Sequence, residues 1–342
     1  MPKPLAAVAA TLAAIATLAL TVPARSENAA EFFKGKQINL IIGYNPGGAY
    51  DIYARIAANL LPNYIPGSPK IIPQNMPGVG SAKAANYLFQ QASRDGLTIG
   101  MIGQQLPVSQ ALGDASAKFD IRQFTWLGRF TSGGEATVVW HTSATKTLAD
   151  AMKRETSLAA TSAGSSSDSF PLLMNRIAGT KFRMHKGHRG IIGTVLAMQR
   201  GETEGAHSTL EQLMFANRDW LRDKQVVVLV QYTSERHPSF PNVPAMTEFG
   251  KTPLDKQVLN LFAGTADIGR ALMLPPGVPA DRVAVLRKAF ETMLADPAFK
   301  AEVEKRNLEF GPMSGAELQK RVAASMQVTP DVIKHAIAMS RE

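Results

Sequence analysis

A chain of 342 residues, 45% of them hydrophobic and 19% charged, exceeds the common single-domain size of about 100–150 residues and implies two domains. Lys and Arg number 37 against 28 Asp and Glu, a formal net charge of +9 that excludes an acidic disordered tail and favours anionic partners over cationic ones. Zero cysteines exclude disulfides, thiolate-held zinc or iron–sulfur centres, a cysteine nucleophile and a lipid-modified cysteine.

Lys3 precedes an uncharged stretch of Ala, Leu, Val, Ile and Thr over residues 5–22, the two leading parts of an export signal. Val22-Pro23-Ala24 places small residues for cleavage after Ala24, with a second cut offered at Ala24-Arg25-Ser26. The stretch is too short and too rich in Ala and Thr for a spanning anchor, so residues 1–24 read as a cleaved signal peptide and the product as a freely diffusing periplasmic protein.

Residues 37–42 form an apolar, β-branched run stopped by Gly43, which predicts a buried parallel strand. Ile52, Ile56 and Leu60 then fall at i, i+4, i+8 on a helix closed by Pro62. Residues 70–73 predict a second strand, 81–92 a second helix and 97–102 a third strand after the Asp95-Gly96 turn. Repeated strand–helix units imply an α/β fold with doubly wound sheets. The pattern restarts with strand 136–140, helix 148–154, strand 157–161 and helix 170–177, and strand 226–230 closes it. From Leu274 the chain turns helical: Pro275 to Pro279 is a linker, Val283, Leu286, Phe290 and Met293 share a face, and Pro297 interrupts. Ser314-Gly315-Ala316-Glu317 spells a capping box, and Pro330 suits the first turn of a last helix.

Three clusters could carry chemistry. Gly43-Tyr44-Asn45-Pro46-Gly47-Gly48-Ala49-Tyr50-Asp51 joins a strand to a helix, where glycines let backbone N–H groups approach a ligand and the helix start favours an anion. Ala49-Tyr50 stands where a phosphate loop requires Lys-Ser/Thr, and Gly78-Val79-Gly80 meets Lys83 instead of a third glycine, which argues against nucleotides. A tight turn without a ligand is the alternative. Thr161-Ser162-Ala163-Gly164-Ser165-Ser166-Ser167-Asp168 is a second strand-to-helix turn, rich in hydroxyl donors, with Asp168 or Ser169 as the N-cap before Pro171. It does not spell a nucleophile elbow. Lys181, Arg183, His185, Lys186, His188 and Arg189 make a positive face that draws anions. Phe182 is the one aromatic residue among them, which argues against nucleic acid, and no third ligand joins His185 and His188 for a metal. His207 is read as a loop histidine, or else a pocket donor.

Taken in order, Gly35-Lys36-Gln37-Ile38, Asn45 to Asp51 with Ala54-Arg55, Asn75-Met76-Pro77-Gly78-Val79-Gly80, and Asp95-Gly96-Leu97-Thr98 resemble the Bug-type receptors of tripartite tricarboxylate transporters. Ser162-Ala163-Gly164 with Ser166-Ser167, Lys186-Gly187, Ser234-Glu235-Arg236 with Pro241-Asn242-Val243-Pro244, and Glu248-Phe249-Gly250 extend the resemblance over nearly the whole chain. It implies a two-lobed periplasmic binding protein of the Venus flytrap, type II-like kind, with doubly wound sheets and a cleft between lobes. Residues 30–130 plus 262–342 would form the first lobe and 131–261 the second, the chain crossing twice. The ligand would be a small carboxylate, a di- or tricarboxylate or an aromatic acid. Around it the resemblance implies Tyr44, Asn45, Gly47, Gly48, Ala49, Asp51 and Gln104 from one side, and Ser162, Ser165, Ser166, Ser167, Asp168 and His207 from the other. The expected partners are permease subunits, with no cofactor, metal or catalytic residue, and the protein is expected to be a monomer. Phe170 stands where the family often has His, which would favour a more apolar acid, and Met184-His185 replaces an aromatic–proline pair. Two alternatives are an exported hydrolase using Ser165 or His207, for which no triad can be assembled, and a ligand-presenting partner of a sensor kinase.

Overall fold

In the computed structural model, which describes residues 29–340 apart from Ala163, Arg189 and Asn307, Gln37–Ile42 forms strand β1 with the bounds its sequence predicts. The expected signal peptide lies outside the described residues. Alternation across the pleat sends Ile38, Leu40 and Ile42 into a cluster with Tyr53, Ala54 and Ala57, and Ile41 into another with Ala84, Ala85 and Leu88. A strand apolar on both faces must be covered twice, and helices Ala49–Leu60 and Ala82–Gln90 do so. Strands β2 (Lys70–Asn75) and β3 (Thr98–Met101) flank β1 in parallel. The helix does not stop at Pro62 but tightens into a short turn, Leu61–Tyr64, with Pro62 in its first positions.

The remaining strands are β4 (Thr125–Thr131), β5 (Glu135–Trp140), β6 (Thr156–Ala159), β7 (Phe182–His185), β8 (Gly205–Thr209), β9 (Val226–Tyr232), β10 (Arg270–Leu274) and β11 (Met313–Ser314). They form two mixed sheets, ordered β11-β4-β10-β3-β1-β2 and β7-β6-β8-β5-β9. Apart from β11 the sheets share one plan. In each, three parallel strands (β2-β1-β3 and β7-β6-β8) are followed by a reversed strand (β10 and β5) and then by one antiparallel to it (β4 and β9). The second sheet is covered on both faces as the first is: Leu158 packs with Phe170 and Leu173, and its neighbour Ala159 with Ala197 and Met198.

The sequence places neither β4, β7 and β10 nor the helices Gly190–Gln199 and Pro253–Ala263. Leu274, read as the start of the helical part, ends strand β10. Helix Ser166–Leu173 begins four residues earlier than expected: Ser165, in extended backbone, is its N-cap, while Asp168 and Ser169 lie inside it and Pro171 sits mid-helix. The terminal helices agree more closely. Ala280–Ala295 gives way to Pro297–Lys305 at Asp296, whose carboxylate accepts the Ala298 N–H at 2.7 Å, and Ser314 accepts the Glu317 N–H at 3.3 Å.

Phe130 anchors the first core, edge-on to Phe290 at 4.9 Å and stacked beside Tyr53 at 5.6 Å. The last helix, Pro330–Ser340, departs from the expected division of the chain. Its Val332 and Ala336 lie in the cluster of Phe170, Leu173 and Phe262, beside the second sheet, although Leu318 and Val322 just before it pack on the first. Burial against helices Ser166–Leu173 and Pro253–Ala263 decides its place, not continuity with the first lobe.

Candidate functional site

The turn after β1 is braced from within. Asp51, 3% exposed, accepts the Gly47 N–H and Arg55 Nε–H on Oδ2, both at 2.9 Å, and Asn75 Nδ2–H on Oδ1 at 2.8 Å. Asn75 also donates to the Tyr44 carbonyl at 2.9 Å, tying the end of β2 to the turn. Burial alone would raise the Asp51 carboxyl, but the hydrogen bonds from Arg55, Gly47 and Asn75 outweigh it and hold the group down at about 2. Gly47 adopts φ +89, which favours glycine, whereas Gly48 is extended at φ −84 with open space around it. No side chain caps helix Ala49–Leu60, so its first N–H groups are left for an anion. Asn45, Gly47 and Gly48 are exposed, and Ala49 is half-buried. Tyr44 stacks on Tyr50 at 4.3 Å and donates its hydroxyl to Gln105 Oε1 at 3.4 Å; burial keeps both phenols neutral by raising them.

The turn after β6 repeats this device. Asp168, 3% exposed, accepts the Gly164 N–H at 2.9 Å and lies 3.4 Å from the Lys186 ammonium. The hydroxyls that the sequence reads as a donor-rich turn bond largely within the turn. Thr161 donates to Ser165 at 2.9 Å, Ser165 to the Ser162 carbonyl at 2.7 Å, and Ser167 accepts the Thr161 N–H at 3.0 Å. Ser162 is exposed and Ser167 buried. Ser165 has these partners and no imidazole among them, so it is not an activated nucleophile.

A cavity of about 180 Å³ opens between this turn and the segment following β3. Gln105, Ser109, Ser166 and Ser169 give it polar groups, and Val108, Phe170 and Phe262 an apolar wall. Of the residues expected around the ligand, Ser166 lines it directly and Tyr44 reaches it through Gln105; Gly164, Ser169 and Phe170, also noted in the sequence, line it as well. Phe170 stacks on Tyr232 at 4.6 Å, with His207 parallel behind at 6.2 Å. His207 is therefore no loop residue: it lies in β8, 3% exposed, with Nε2 2.9 Å from Glu135 Oε2.

Gln104 also belongs elsewhere. It is 1% exposed and donates to the Gly133 carbonyl at 2.7 Å and to Glu135 at 3.3 Å, beside the passage from β4 to β5. Its Oε1 accepts from Arg270 Nη1 at 3.0 Å, and Arg270 Nη2 lies 3.4 Å from Glu211. Burial raises the Glu211 carboxyl against the lowering pull of Arg270; burial lowers Arg270, but Tyr50, Glu211 and Glu135 raise it further. Arg270, Glu135 and Glu211 escape the sequence reading. The available signal is a single charge at the edge of an apolar run, Arg270 before Ala271 to Leu274 and Glu135 before Ala136 to Val139. No group of His, Cys, Asp and Glu among the described residues is arranged to hold a metal ion.

A family model described as tripartite tricarboxylate transporter family receptor matches residues 54–337. A Cupriavidus necator protein, described as the UPF0065 protein in the gbd 5′ region, is 24% identical over 337 residues, 96% of this chain and 95% of its own. A TctC solute-binding protein from Polaromonas superposes with a TM-score of 0.64 at 18% identity, covering 89% of this chain and 98% of its own. A Rhodopseudomonas palustris protein solved with adipate gives 0.64 at 19% identity, over 88% and 97%. These likenesses match the two sheets to the two-lobed fold of periplasmic binding proteins.

Proposed function

The chain belongs to the tripartite tricarboxylate transporter receptor family, whose members are solute-binding receptors and not enzymes, and from that premise we propose that it captures a small organic acid anion in the periplasm. On this reading the protein works as a monomer, is exported by cleavage after Ala24, and hands its ligand to membrane permease subunits. The observation that carries the ligand class is the uncapped start of helix Ala49–Leu60, held open by the Asp51 brace. A carboxylate there would accept the amides near Gly47, Gly48 and Ala49, directly or through water, and gain from the helix dipole. The rest of the molecule would extend toward Ser166 and the apolar wall at Val108, Phe170 and Phe262.

That wall favours an acid with an apolar body, such as a dicarboxylate with a methylene chain or an aromatic acid, over a tricarboxylate with charge along its whole length. A thermal-shift series with adipate, malate, citrate and benzoate tests the reading. A bound acid at about 100 times its dissociation constant adds about 2.7 kcal/mol to stability. The expected result is the largest rise with adipate or benzoate, with the ligand recovered unchanged. A series in which no acid raises the unfolding temperature overturns the reading.

A further inference from the structure

We propose, on the receptor reading above, that Arg270 is a positioning residue that ties the 44–51 turn to the passages between the lobes and so sets how far the lobes close. Its guanidinium lies 4.4 Å over the Tyr50 ring, which stacks in turn on Tyr44 at 4.3 Å. Both rings belong to the turn and the first helical residues beyond it. On its other side the guanidinium reaches out of the first lobe, with Nη2 3.4 Å from Glu211, which follows β8 of the second sheet.

Arg270 also touches both crossings of the chain. Through Nη1 it holds Gln104, whose amide bonds the Gly133 carbonyl at 2.7 Å between β4 and β5. A methyl group on Gly133 would lie 1.6 Å from Gln104 Oε1, so that side chain rests on the crossing backbone itself. At the return crossing Gly269 takes φ +56, and a Cβ there would meet the Thr131 carbonyl at 2.0 Å; Arg270 is the next residue. With Arg270 5% and Glu211 8% exposed, neither charge is free to part from the other without a cost in the dry interior.

A second tie runs parallel to the first. Tyr53, three residues after Tyr50 on the same helix, donates its hydroxyl to the Glu309 carbonyl. The Glu309 carboxylate lies 3.1 Å from His237 Nε2, beyond β9 in the second lobe. Helix Ala49–Leu60 is thus fastened across the lobes at two points, and a shift of its first turn on binding is passed to the closure. Apparent affinity then equals intrinsic affinity scaled by the closed fraction.

The absence of native cysteines allows a clean test. Gln199→Cys and Lys288→Cys, on exposed positions of helices Gly190–Gln199 and Ala280–Ala295, carry spin labels one per lobe, and the interlobe distance distribution is measured without ligand and with adipate. Arg270→Met is expected to move the ligand-free distribution to longer distances and to weaken adipate binding by the factor by which the closed fraction falls. Glu211→Gln should act in the same direction by less, and Arg270→Lys, which keeps the charge without the fork, should recover part of the closed population. If Arg270→Met fails to fold, Glu211→Gln and Arg270→Lys carry the comparison. Distributions that coincide with the parent while the unfolding temperature falls would make Arg270 merely structural and overturn the proposal. Should the parent bind none of adipate, malate, citrate and benzoate, the carboxylate reading alone is lost, and the ligand-free distances still decide on Arg270.

Discussion

Asp51 and Asp168 hold matching posts in the two lobes: each carboxylate accepts the N–H of the glycine four residues before it, Gly47 and Gly164, at 2.9 Å. Each is then balanced by a cation, Arg55 and Lys186. Since β1 and β6 occupy the same place in their sheets, the two turns are one device used twice, each bracing the start of the helix that follows its strand.

For Asp51 the device is testable by pH. Its carboxyl sits at about 2, below the usual ~3.9, so it contributes stability that is full above the ordinary carboxylate range and is lost as pH falls toward 2. Asp51→Asn should cost about 1–3 kcal/mol at pH 7 and little at pH 2, measured by urea unfolding at both. Equal losses at the two values would rule out the charged brace.

Gly48→Val should leave the ligand-free unfolding temperature near that of the parent, because the position is extended and a Cβ meets nothing within 4 Å. Affinity for the best acid should fall at least tenfold by calorimetry. Gly47→Val, forced to φ +89, should lose about 1–3 kcal/mol of stability as well. Full affinity in Gly48→Val would remove the carboxylate from this turn.

Phe170→His should shift preference from adipate toward malate or citrate, because it replaces part of an apolar wall with a donor. The ratio of dissociation constants is the measurement, and an unchanged ratio would take Phe170 out of ligand selection. The stack with Tyr232 should also weaken, costing about 0.5–1.5 kcal/mol of stability.

Phe130→Ala should destabilise by about 3–5 kcal/mol in urea, since the ring is fully buried among Tyr53, Phe290 and Phe299. A loss under 1 kcal/mol would mean the core collapses around the gap.

β1 is legible because Ile38, Leu40, Ile41 and Ile42 make it apolar on both faces and Gly43 stops it, whereas β10, buried throughout, runs straight into the segment read as helical and has no such stop. β7 carries exposed Arg183 and His185, and β8 begins at a glycine and holds His207 and Ser208, so neither reads as apolar although β8 is almost wholly buried. Both turns were legible as strand-to-helix junctions because glycine and serine mark them locally. What filled the hydroxyls of Ser165 and Ser167 was not, since hydrogen bonding inside a turn depends on its conformation. Arg270 and Glu211 lie 59 residues apart and meet only because the end of β8 and the start of β10 come together; no local pattern encodes that.

Helix Pro330–Ser340, seated on the second lobe after a helix seated on the first, gives the molecule a third strap between its halves. Two neighbouring passages would permit the halves to twist about the line joining them as well as to bend. A third strap anchored through Val332 and Ala336, in one cluster with Phe262 just before the return passage, adds a contact that any twist of one half against the other must strain.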